Sequence, residues 1–246
     1  MNRKFLVFFT LIVAFVTVTC MPLQASAAGK VALNKNKMVL EMGTTQTLKV
    51  KNTKKSVKWS TSNKKIVKVK KGVLTPVSVG TATVTAKVSG KSYSCKVTVA
   101  DYTGMSIEQK QVVSFALKYV GNRYRYGGTS LTDGTDCSGF TYSVYRNFGY
   151  DMKRTAYQQL CDTKSVKKKN LKPGDLIFYG SSKRSCSHVA LYIGNKKVVH
   201  ASTESTGIVV SDYDYRKAVG YGRVLKKATY PGEEVNDSVT AYAKGK

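Results

Sequence analysis

Acidic residues are scarce in this chain of 246 residues: 14 Asp and Glu stand against 41 Lys and Arg, a formal net charge of +27. Tryptophan occurs once, histidine twice, proline four times and cysteine five times. So few cysteines exclude a small disulfide-framework protein. No Gly-X-Y period or sustained heptad is present, which excludes the fibrous classes. At 42% hydrophobic residues the chain is too apolar to be disordered throughout. The apolar residues are also too dispersed for a multi-span membrane protein.

The N-terminal segment has the pattern of an export signal. Arg3 and Lys4 precede the 14-residue apolar run Phe5–Val18, and Gln24-Ala25-Ser26-Ala27-Ala28 offers a small-x-small cleavage site. The run is shorter than the roughly 20 residues of a membrane span. A signal peptide over 1–27 is therefore expected, with an anchor helix or a lipoprotein attached at Cys20 as the alternatives. The expected product is secreted or wall-associated, with no integral span after cleavage. The last residues, 227–246, lack periodicity and are expected to form a disordered tail.

Between these ends the composition changes near residue 100. Residues 30–100 hold 16 Lys, no Arg and the single acid Glu41; residues 101–226 hold 20 Lys and Arg, 10 acids and both histidines. The first block alternates apolar and polar residues in short runs (Leu48 and Val50, Val57 and Trp59, Val67 and Val69, Thr81 to Val88, then Cys95, Val97 and Val99), separated by turn signals. Such runs predict a β-sandwich with Cys95 in its interior. The stretches Val57-Lys58-Trp59-Ser60-Thr61-Ser62-Asn63, Lys71-Gly72-Val73-Leu74 and Gly80 to Ala86 resemble the bacterial immunoglobulin-like group 2 domain. The outward lysines read either as a solvated face or as a surface for a polyanion. With an export signal and no nucleic-acid-binding motif, an anionic cell-wall polymer is the expected partner and nucleic acid is not.

In residues 101–226, Ser106 and Gln109 have capping-box spacing ahead of a stripe of Val113, Ala116, Leu117 and Val120. A second helix is predicted from Phe140, Val144 and Phe148, with Asp136 as its N-cap and Cys137 in its first turn. Helix-start N–H groups stabilise a thiolate, so a lowered Cys137 pKa is expected. Strands are predicted around 175–180, 188–193, 197–201, 208–210 and 219–225. His188 and His200 stand 12 apart on adjacent strands. They can share a face only if the hairpin loop is odd in length or a bulge compensates, and that is the expectation. Cys with two His supplies a nucleophile, a base and an orienting partner. The same three could contribute to a zinc site, but no fourth ligand is evident and Cys161 and Cys186 lack ligand spacing. No metal and no organic cofactor are expected.

Asp136-Cys137-Ser138-Gly139-Phe140, Leu171-Lys172-Pro173-Gly174-Asp175-Leu176, Ser187-His188-Val189-Ala190-Leu191-Tyr192-Ile193-Gly194 and Val199-His200-Ala201 resemble the NlpC/P60 cysteine peptidases. The resemblance runs from about 105 to 226. It implies a papain-like α+β fold with an antiparallel sheet, following the immunoglobulin-like sandwich. It also implies hydrolysis of peptidoglycan stem peptides, usually between γ-D-glutamate and the diamino acid. By that resemblance Cys137 is the nucleophile, His188 the base and His200 its orienting partner. Tyr126 would line the groove near the oxyanion, Asp136 and Ser138 would touch the stem peptide, and Arg154 would bind a substrate carboxylate. Asp136 as a simple helix cap and Arg154 as a surface ion pair remain the plainer readings. Cys161 and Cys186 are either free or paired. A non-catalytic wall-binding or adhesion protein, and an amidase or acyltransferase on the same scaffold, are the alternative functions.

Overall fold

The computed structural model describes residues 29–225. The signal peptide expected at 1–27, with Cys20, and the tail expected at 227–246 lie outside the described residues.

Residues 29–100 fold into β-strands. They are β1 (Ala32–Leu33), β2 (Lys37–Glu41), β3 (Gln46–Thr47), β4 (Val50–Lys51), β5 (Lys58–Thr61), β6 (Val67–Lys70), β7 (Val73–Pro76), β8 (Gly80–Val88) and β9 (Lys91–Ala100). One sheet has the order β2-β9-β8-β5 and another β3-β7-β6, while β1 pairs with β4. The alternation legible in the sequence has a direct cause: inward residues of both sheets form one apolar cluster, with Leu40, Val67, Leu74, Val84, Cys95, Val97 and Val99 fully buried. The intervening lysines of β5, β6 and β8, at 58, 68, 70 and 87, are exposed.

The chain then turns helical. Ser106 caps α1 (Ile107–Leu117) in a complete capping box with Gln109. A loop carrying the small hairpin β10 (Thr129–Ser130) and β11 (Gly134–Thr135) leads into α2 (Cys137–Arg146) and then α3 (Ala156–Asp162). Strands β12 (Lys164–Ser165), β13 (Asp175–Gly180), β14 (Cys186–Gly194), β15 (Lys197–Thr203), β16 (Gly207–Asp212) and β17 (Ala218–Arg223) follow. They form one six-stranded sheet in the order β12-β17-β13-β14-β15-β16, antiparallel throughout. Phe140 and Val144 of α2 pack with Leu176 and Phe178 of β13 and with Val189, Leu191 and Val199 of β14 and β15. This contact holds the start of α2 against the sheet.

The two parts meet at one end of the first. Val39 and Val79 pack against the second cluster, Lys37 Nζ donates to Asn122 Oδ1 at 2.7 Å, and Lys110 pairs with Glu41 at 3.3 Å.

Phe140 is fully buried at the junction of α2 and the sheet. Phe140→Ala should therefore lower stability by about 3–5 kcal/mol. Urea unfolding checks this; a loss under about 1 kcal/mol would mean that α2 is held by something other than this contact.

Candidate active site

Asp136 organises the first half of the site. It is the N-cap of α2, and its Oδ1 accepts from Gly139 N–H at 2.7 Å. Its Oδ2 accepts from Gly127 N–H at 2.9 Å, fastening the preceding loop. Arg154 completes the carboxylate with a two-pronged ion pair, 3.0 Å to Oδ1 and 2.6 Å to Oδ2. Burial works against the Asp136 charge, but the Arg154 guanidinium and the two N–H groups outweigh it and hold the carboxyl below its usual range. Gly139 is required by close approach, since a Cβ there would lie 2.1 Å from the Gly128 carbonyl oxygen.

The structure brings Asp136, Ser138 and Arg154 together, but mainly with one another. Ser138 Oγ lies 3.2 Å from Asp136 Oδ1 and receives Arg154 at 3.0 Å. A further Arg154 N–H reaches the Gly128 carbonyl at 3.3 Å. Four of the five guanidinium N–H groups are thus used internally. The sequence reading missed α3, which carries Arg154 at its threshold. The signal was present, because Thr155 and Gln158 form a second capping box. Buried Gln159 then ties α3 to α2 through the Ser138 carbonyl and the Thr141 hydroxyl.

Cys137 sits at the helix start as expected. Its sulfur lies against the backbone that flanks His188, 4.0 Å from the Ser187 carbonyl oxygen, and near the Val189, Ser138 and Cys137 N–H groups. The expected lowered thiol pKa is not what this arrangement produces. Burial pushes the Cys137 thiol up and the Asp136 carboxylate adds to that, and the N–H groups offset only part of the rise. The two tyrosines of the loop before α2 differ in burial. Tyr126 is 85% exposed, whereas Tyr124 is half-buried and its hydroxyl is pushed up by burial and by the nearby Cys137 and Asp136.

The two histidines share a face. The β14–β15 hairpin has a two-residue turn, Asn195 and Lys196, both in the left-handed region at φ 50° and 56°. Such a turn alone would set the rings on opposite faces. A bulge between Tyr192 and Gly194 corrects the register, so that Leu191 faces Val199 and Tyr192 faces Val198. His188 Nε2 and His200 Nδ1 then meet at 2.9 Å with the rings perpendicular. His200 Nε2 lies 3.0 Å from Ser211 Oγ, and the Tyr215 hydroxyl lies 3.2 Å from His200 Nδ1. Ser211 and Tyr215 were not singled out from the sequence; their link to His200 is made by strand pairing, Val198 opposite Ser211 and His200 opposite Val209, and by the loop after it.

Burial, then repulsion from His200 and Arg216, lowers the His188 pKa to about 3, and burial with Arg216 lowers His200 to about 4. At rest Cys137 is therefore a thiol and both imidazoles are neutral. Cys95, Cys137, Cys161 and Cys186 are free thiols, so Cys161 and Cys186 are not paired.

Unfolded histidines take up a proton near pH 6.5, and these two refuse it until about pH 4 and 3. Their contribution to stability is complete above about pH 6.5 and is lost as pH falls toward their folded values. Urea midpoints should fall between pH 6.5 and 4 in the wild-type chain, and less steeply in His188→Gln/His200→Gln. Equal slopes in the two proteins would show that these rings are not held neutral.

Residues 121–221 match the NlpC/P60 family. Over 94 residues the chain is 47% identical to the murein DD-endopeptidase MepS/murein LD-carboxypeptidase of Escherichia coli K12, covering 37% of this chain and 47% of that protein. Over 119 residues it is 34% identical to the bifunctional muramidase/DL-endopeptidase CwlT of Bacillus subtilis, covering 46% and 36%. A solved NlpC/p60 domain, that of the peptidoglycan hydrolase SagA, is 30% identical at a TM-score of 0.43, covering 46% of this chain and 97% of that one. The chain spans about half or less of the length of these two curated relatives. Residues 121–221 are thus the part of the chain that matches the NlpC/P60 family.

Proposed function

We propose that this chain is a secreted peptidoglycan endopeptidase that cleaves stem peptides through Cys137, His188 and His200, and that residues 30–100 are an immunoglobulin-like module that holds it on the wall. The observation that carries the reading is the line of groups running from the Cys137 sulfur past the His188 backbone to His200 and Ser211. Relatives named for DD-, DL- and LD-peptide bonds support the substrate class. The bond preferred here is that between γ-D-glutamate and the diamino acid.

The chemistry begins from the neutral pair. One assignment of protons leaves His188 a bare nitrogen for the thiol proton. In it His188 Nε2–H donates to His200 Nδ1, and His200 Nε2–H donates to Ser211 Oγ. The bare atom is then His188 Nδ1, the ring nitrogen nearer the backbone that the sulfur touches. As the sulfur attacks the scissile carbonyl carbon, its proton passes to His188 Nδ1. The N–H groups of Cys137 and Ser138, with the Tyr124 hydroxyl, receive the oxyanion. The C–N bond breaks, His188 protonates the departing amine, and a thioester remains on Cys137. His188 then takes a proton from water, whose oxygen attacks the thioester to give a free carboxylate and restore the thiol. Asp136 and Arg154 act by fixing the helix start and the 127–128 loop.

Digestion of purified peptidoglycan followed by mass spectrometry tests the bond: new γ-D-glutamate carboxyl ends are expected. Cys137→Ala should abolish them while retaining wall binding. Products cut elsewhere would overturn the bond assignment, and undiminished cleavage by Cys137→Ala would overturn the mechanism. Ser211→Ala should lower kcat by about tenfold with KM nearly unchanged, since it weakens the base only through His200. Ser211→Thr should restore most of the rate. An unchanged kcat in Ser211→Ala would remove Ser211 from the proton path.

A further inference from the structure

Residues 30–100 contain a depression remote from the peptidase site. An open cleft of about 780 Å³ lies between the loop after β4 and the β8–β9 turn. Lys30, Lys54, Lys55 and Lys91, all exposed, line it, with Asn52 on the rim and the half-buried Tyr93 in the wall. Asn52 Nδ2 donates to the Lys30 carbonyl at 3.0 Å, joining the two sides. The cleft includes Val88, the last residue of β8, whereas Val79, just before β8, packs against the second core. At about 3.3 Å per residue the nine steps from Val79 to Val88 separate the two by about 30 Å.

Charge makes this end unusual. Glu41 is the sole acid in residues 30–100, and it sits where β2 reaches the second core, paired with Lys110. No salt bridge among the described residues involves any of the 16 lysines of this block. Four lysines therefore line one cleft with no carboxylate among its lining residues to offset them. All the cations of the block are lysine and none is arginine. Arginine grips carboxylate and phosphate alike with a planar fork, whereas lysine offers only a compact point charge, which suits the single, spaced charges of a phosphodiester chain and needs no two-pronged fit. We propose that this cleft binds a linear polyanion bearing phosphodiester groups, with Tyr93 packing against its uncharged backbone. This deepens the wall-attachment half of the proposed function and does not depend on the peptidase half.

The test uses the full chain, soluble poly(glycerol phosphate) and, for comparison, polyglutamate of equal charge. Binding is titrated over a range of salt concentrations. The cleft variant Lys54→Gln/Lys55→Gln/Lys91→Gln is compared with Lys64→Gln/Lys65→Gln/Lys68→Gln, which removes the same charge away from the cleft. At about 0.1 M salt the cleft variant should lose at least about tenfold in affinity and the control under about threefold. The cleft variant should also flatten the slope of log K against log salt by about 2, at roughly 0.7 per lost contact. Hydrolysis of a soluble stem peptide and thermal melting report whether each variant is folded. Equal losses in the two variants would show a diffuse field and no site. Tighter binding to polyglutamate, or no binding by the wild-type chain, would also overturn the proposal. A chain that binds the phosphate polymer but cuts no stem peptide would refute the peptidase reading and leave the cleft standing.

Discussion

The Asp136 carboxylate is the point through which the candidate active site is assembled. It ends the loop of residues 121–135, starts α2, and receives the Arg154 guanidinium from the threshold of α3. Each of these contacts fixes a separate piece of chain around one sulfur. A buried carboxylate with fewer partners would be costly, and here five donors satisfy it. The N–H groups of Cys137 and Ser138 are left at the helix mouth because Asp136 takes the one from Gly139. The same residue thus caps the helix and, in the proposed mechanism, leaves these two N–H groups for the oxyanion.

The second constraint is register. A two-residue turn is the tightest hairpin connection, and it would by itself divide His188 from His200. The bulge at Tyr192–Gly194 restores the shared face within the strand. The histidine pair then lies buried, and neither ring holds a second proton at neutral pH. The lowered thiol pKa expected from the helix start alone is not found, because removing the sulfur from water outweighs the pull of the N–H groups. Proton transfer is in this account part of the attack and does not precede it.

Much of this was legible in the residues. The alternation in 30–100 and the stripes of α1 and α2 follow from one-sided burial, which writes its period into the chain. Asp136 as cap and the need for an odd loop or a bulge follow from local geometry and parity. What was not legible depended on contacts between distant segments. Tyr124 and Tyr126 share one loop and one chemistry, and only the fold decides which of them is half-buried and which is exposed. Ser211 and Tyr215 reach His200 through strand pairing and a loop. The thiol's raised pKa is a property of packing density, to which a sequence pattern of caps is blind.

The central claim is that the Cys137 sulfur forms a covalent bond to the acyl part of a stem peptide. Rapid acid quenching of the full chain during turnover, followed by peptide mass spectrometry, tests it most directly. The account predicts a thioester adduct carrying the γ-D-glutamyl acyl group on the peptide that contains Cys137. Turnover with no adduct on Cys137, or with the acyl group on Cys161 or Cys186 instead, would contradict it.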